Sequence, residues 1–211
     1  MINVLQNDYI SHFGLAGKYT LHSYPIQGNM VLNDDKSCRQ CKSNNAQKCD
    51  SETNEQTFMF FSDVEVSLVE IEDFLNQFEG KRAGVKDKCD LMLYDNQNIA
   101  FVEMYCGEQK YMYPYINQKG LHEGKLAKAR KQLNSTINKL SEVQSIKIKM
   151  DGYDKKTGIF ACRKKSESSN GSVDEENMQV FLNTTLESKA HTLLSNNFRF
   201  VQVEYPEVYT W

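Results

Sequence analysis

Lys88-Cys89-Asp90-Leu91-Met92-Leu93-Tyr94, Asp95-Asn96-Gln97-Asn98 and Ile99-Ala100-Phe101-Val102-Glu103-Met104-Tyr105 form the stretch that decides the fold. Two apolar, β-prone runs enclose a short polar cluster, the pattern of a β-hairpin. A two-residue Asn96-Gln97 loop sets Leu91 opposite Val102, Met92 opposite Phe101 and Tyr94 opposite Ile99. Continued outward, that register sets Asp90 opposite Glu103 and Lys88 opposite Tyr105. Directly opposed side chains have Cβ atoms roughly 5 Å apart, and at an effective dielectric of about 20 two carboxylates there repel by on the order of 3 kcal/mol. A hard cation offsets such a pair, and carboxylate oxygens suit Mg2+ or Mn2+. Without metal, this reading expects either carboxylate-to-Ala variant to be no less stable than the parent. A register shifted by one residue, with no metal, is the alternative.

The same residues, with Ala127-Lys128-Ala129-Arg130-Lys131-Gln132-Leu133-Asn134-Ser135-Thr136-Ile137 behind them, resemble the core of the PD-(D/E)XK nuclease superfamily. The resemblance covers residues 88 to 150. It implies a restriction-endonuclease-like α+β fold in which Asp90 and Glu103 bind Mg2+ or Mn2+ and Lys128 and Gln132 follow on a helix. It also implies an acidic ligand on the helix before the hairpin, for which Glu72 is the candidate; a solvated flank is the other reading of that residue. Tyr105 stands where the motif carries lysine, the residue that helps activate water, so Lys88 or Lys128 is expected in that role. The function implied is a metal-dependent nuclease acting on DNA phosphodiesters. The rival is a catalytically degenerate nuclease-like subunit that binds or regulates within a larger protein complex, with zinc for structure.

A length of 211 residues fits a single domain with insertions, and an apolar content of 40% supplies a sizeable core. A net charge of −3 exerts no overall attraction for nucleic acid, so DNA contact rests on local patches. The first residues carry neither a basic start nor a long apolar run, and no apolar stretch reaches membrane-spanning length, so the expected location is cytoplasmic. Six cysteines in that setting read as reduced thiols or metal ligands. Residues 33–56 are polar and hold Cys38, Cys41 and Cys49; the Cys-X-X-Cys spacing suits one tetrahedral Zn2+, with Cys106, Cys162, His12 and His22 open as the fourth ligand. Unligated thiols in a loop are the competing reading.

Elsewhere, Thr57 to Ser62 reads as a buried strand. The spacing of Leu68, Ile71, Leu75 and Phe78 predicts a helix over 66–79. Leu126, Ala129, Leu133, Ile137 and Leu140 predict another over 123–143, whose flank carries Lys125, Lys128 and Gln132 and suits a phosphate backbone. Residues 107–121, with Tyr111, Tyr113 and Tyr115, read as a loop insertion that covers core surface. Ile146, Ile148 and Met150 alternate with lysines as a half-exposed strand, Gly158 to Cys162 continues as a second strand, a helix is predicted from Asp174, and Phe198 to Tyr205 closes as a strand.

Overall fold

The computed structural model describes residues 1–33, 56–108, 111–117, 120–165 and 194–211. The Cys-rich stretch with Cys38, Cys41 and Cys49, and the helix predicted from Asp174, lie outside the described residues. The hairpin forms as β3 (Leu91–Tyr94) and β4 (Asn98–Glu108), with Leu91, Met92, Leu93 and Tyr94 paired to Val102, Phe101, Ala100 and Ile99. Its turn closes through the Asp95 N–H on the Asn98 carbonyl at 3.0 Å.

Around this hairpin the protein builds an α+β fold. Among the described residues the main sheet has seven strands, in the order β1 (Ser23–Asn33), β2 (Gln56–Val69), β3, β4, β7 (Lys155–Lys165), β8 (Arg199–Glu204), with β9 (Val208–Thr210) beside β2. The sheet is mixed: β1 through β4 run antiparallel, whereas β4, β7 and β8 run parallel. A parallel neighbour needs a long crossover, which α3 (Gly124–Ser141) and α4 (Gln144–Asp151) supply between β4 and β7.

Both faces of the hairpin are buried, as its apolar alternation requires. Met92, Ile99 and Phe101 point into a core shared with Leu133, Ile137 and Leu140 of α3, Phe74 of α2 (Ile71–Asn76), and Leu5 and Tyr9 of the N-terminal helical segment (Val4–Tyr9) that runs into α1 (Ile10–His12). Leu91, Leu93, Ala100 and Val102 point the other way, into a core of strand residues that includes Phe58, Phe60, Val66 and Leu68 of β2. The β1–β2 ribbon reaches that second face because it is bulged. Its register shifts between Ile26 and Gly28, where Gly28 takes φ +80°; a bulge bends and twists the paired strands, so the outer part of β2 approaches β7 and β8.

Two predicted elements are corrected. Ile146 to Met150 is helix α4, not a strand. Residues spaced by four satisfy both periods, so the middle residue decides between them, and Ile148 is 62% exposed while Ile146 and Met150 are buried. The helix predicted over 66–79 begins only at Ile71: Val66 and Leu68 are buried on alternate positions of β2, with half-buried Ser67 between them. The loop of residues 107–121 also contains structure, the small hairpin β5 (Tyr115–Asn117) and β6 (Gly120–His122).

The chain's single tryptophan ties its C-terminal end to the hairpin turn. Trp211 Nε1–H donates to Asp95 Oδ2 at 2.9 Å, and Asp95 Oδ1 accepts the N–H groups of Gln97 and Asn98 at 2.7 and 2.6 Å. Partial burial pushes the Asp95 carboxyl up, but these donors together hold it below its ordinary value of 3.8. A depressed carboxylate contributes stability that is present above the unfolded-state pKa and lost as pH falls through the folded-state pKa. Acid titration monitored by tryptophan emission is therefore expected to show a local transition with its midpoint below 3.8. Asp95→Ala removes that transition and costs about 1 kcal/mol, the lower end for a partly exposed hydrogen-bonded group.

Candidate metal and phosphate cleft beside the hairpin

The hairpin register ends at Leu91. The Asp90 N–H donates to the Val102 carbonyl at 3.1 Å, a bond that a continued ladder would not place there, and Cys89 enters the helix-side core although Leu91, two residues on, faces the opposite core. A one-residue irregularity exchanges faces in this way. The strand then peels away from β4 and hangs on α3: the Cys89 N–H donates to Thr136 Oγ1 at 2.9 Å, and Gln132 Nε2 donates to the Lys88 carbonyl at 2.9 Å. Asp90 substitutes a side chain for the lost strand, because its Oδ2 accepts the Met104 N–H at 2.7 Å.

This overturns the outward extension of the predicted register. Lys88 is not paired with Tyr105; its side chain is buried, 7% exposed, and its ammonium donates to the Val85 carbonyl at 3.3 Å. Asp90 and Glu103 are not ladder partners either, but they remain neighbours. Burial pushes the Cys89 thiol well above its ordinary range, the Thr136 hydroxyl opposes that, and the charges of Glu103 and Asp90 add to the rise. One buried thiol thus feels both carboxylates.

Beyond Val102, β4 runs on without β3 at its side, and among the described residues it pairs there with β7 alone. The notch left by the departing strand is a cleft of about 170 Å3, walled by Glu103, Met104, Tyr105 and Phe160 from the sheet and by Lys125, Lys128 and Gln132 from α3. Spacings of three and four set these three helix residues on one flank, while Leu126, Ala129 and Leu133 on the other are buried. Glu103 is nearly buried, and its Oε2 atom is covered and outside any hydrogen bond, although the carboxylate has other partners. Lys125 places its ammonium 5.0 Å above the Tyr105 ring centroid, so a cation stands over an aromatic residue of the same cleft wall. The spacing of Lys125 from Lys128 and Gln132 places it on the flank expected to suit a phosphate backbone, and all three line the cleft.

Arg130, on another side of α3, is packed over Phe200 at 4.4 Å and does not line the cleft. Lys131 pairs with Asp87 at 3.1 Å. Among the described residues no three His, Cys, Asp or Glu side chains gather as a metal group, so Glu72 does not complete a set with Asp90 and Glu103. It lies in the first turn of α2, its N–H donating to the Asp90 carbonyl at 3.2 Å. Of the fourth-ligand candidates, Cys162 is buried in an apolar cluster with Met112 and Leu126. No described helix is long and apolar enough to cross a membrane. Comparison with protein-family models, with curated proteins and with solved structures returns no match.

Proposed function

We propose that this protein is a metal-dependent nuclease acting on DNA phosphodiesters, built on a PD-(D/E)XK-like core, with its reacting centre in the cleft between β4 and α3. The observation that carries the reading is the convergence of Glu103, Lys125, Lys128 and Gln132 on one cleft, with Asp90 bonded to Met104 in its wall. Two neighbouring carboxylates are a hard-oxygen donor set, and Mg2+ commonly takes one or two protein carboxylates and keeps its waters. The residues fit that ion, and Asp90 and Glu103 would hold it. When bound, such an ion lowers the pKa of its water and neutralises charge on a phosphate.

The chain's own residues do the rest. Lys128 faces the cleft from α3 and takes the role of the missing motif lysine, orienting the attacking water and its proton. Lys125, steadied over Tyr105, contacts the phosphate backbone. Gln132 acts through position, since its amide holds the Lys88 carbonyl and with it the approach of Asp90. The bond of the Lys88 ammonium to the Val85 carbonyl supports leaving that residue out of the reaction.

Cleavage of plasmid DNA in Mn2+ tests this assignment. Lys128→Ala is expected to lower the rate about 100-fold, the ordinary worth of one proton-transfer group, and Lys88→Met to change it less than about threefold on the same scale. Equal losses in both, or faster loss in Lys88→Met with the fold intact, contradict the assignment. One observation favours the second reading, a non-cleaving nuclease-like subunit: the Asp90 carboxylate already has a backbone donor in Met104. A parent protein that binds DNA and does not cleave it in Mn2+ or Mg2+ selects that reading.

A further inference from the structure

The β5–β6 hairpin is two strands wide and pairs Tyr115 with His122, Ile116 with Leu121 and Asn117 with Gly120. Ile116 is 80% exposed and Leu121 77%, the two most exposed large apolar side chains among the described residues, and as directly opposed residues they form one apolar edge. Behind them the Tyr115 ring stacks on His122 at 4.8 Å and 9°, and Tyr111 meets Tyr115 edge-on at 4.9 Å. The stem is fixed firmly to α3. Met112 is buried and its carbonyl accepts the Leu126 N–H at 3.1 Å. Gly124, at φ +80°, lies so close to Tyr113 that a Cβ there would sit 2.4 Å from its carbonyl carbon. The hairpin therefore projects from the helix end that carries Lys125 and Lys128 into the cleft.

A narrow ribbon with an apolar edge and stacked rings behind it, held to α3 at its stem beside a cationic cleft, matches one occupant: stacked bases with an anionic backbone. Two side chains are far too little for a protein interface, which takes about 800 Å2 per partner, whereas an Ile or Leu wedge between base steps is enough to unstack them. We propose that the β5–β6 hairpin inserts Ile116 and Leu121 at an opened base step of duplex DNA, such as a junction with single strand, with the Tyr115–His122 stack against the exposed base. The proposal rests on the reading of DNA as ligand of the cleft, and it makes the enzyme selective for junctions over uninterrupted duplex.

The test is a duplex carrying 2-aminopurine at its single-strand junction, titrated in EDTA with the parent and with the Ile116→Ser/Leu121→Ser variant. Both positions are exposed, so the fold should persist, which thermal melting checks. The parent is expected to raise the probe's emission, and the variant to lose that rise and bind the junction about tenfold more weakly, the usual scale of one stacking contact. Ile116→Phe should keep the rise. A variant that keeps the parent's emission and affinity overturns the wedge, as does one whose only change is a shift in sedimentation, which would mark the tip as a protein contact. Mn2+ cleavage assayed in parallel separates the two ideas: an emission rise lost in the variant, with no cleavage by the parent, leaves the wedge standing and removes the nuclease. Failure of the parent to bind DNA at all removes both.

Discussion

Asp90→Ala is expected to destabilise the metal-free protein by about 2–3 kcal/mol in chemical denaturation, because the Met104 N–H loses a charged acceptor and hydrogen bonds to charged groups are worth roughly 1.5–3 kcal/mol. This reverses the expectation drawn from the sequence, in which removing either carboxylate only relieves repulsion. The Asp90 carboxylate fastens the point where the chain leaves β4, and truncation leaves a backbone donor in the cleft wall without its acceptor. Glu103→Gln keeps the side chain's size and removes one of the two charges acting on Cys89. It should therefore cost less than Asp90→Ala by at least about 1 kcal/mol on the same hydrogen-bond scale. Equal large losses in both variants indicate a structural carboxylate pair.

The largest effect on activity is expected from Glu103→Gln. A carboxylate that holds the ion and faces the phosphate acts on the charge that develops during cleavage, and metal-ion stabilisation of that kind is worth several kcal/mol. At about 1.4 kcal/mol per tenfold in rate, loss of the ligand lowers Mn2+-dependent cleavage by about a thousandfold while the fold is retained. A residual rate within tenfold of the parent places the chemistry elsewhere.

The hairpin was legible because its two faces are both apolar and its turn is short, so four pairs follow from one loop assignment. The break at Asp90 was not, since alternation carries no mark for a residue that gives up strand pairing; the Asp90 N–H bond to Val102 and the bonds of residues 88 and 89 to α3 reveal it. Lys88 was consequently expected opposite Tyr105, whereas the ladder stops at Leu91 and the Lys88 ammonium donates to the Val85 carbonyl. The α3 flank was readable from its period, and Lys128 and Gln132 do line the cleft with Glu103. Position 148 misled the reading of α4 because apolar residues on alternate positions fit a strand until one of them is found in solvent. The parallel placement of β7 against β4 depends on a crossover that no local pattern specifies.

Titration of the metal-free parent and of Glu103→Gln with Mn2+, followed by calorimetry, addresses the central claim most directly. The account predicts one saturable site in the parent, at least tenfold weaker in Glu103→Gln, a loss on the scale of a ligand-shell change. No saturable site in the parent, or equal affinity in both proteins, contradicts it.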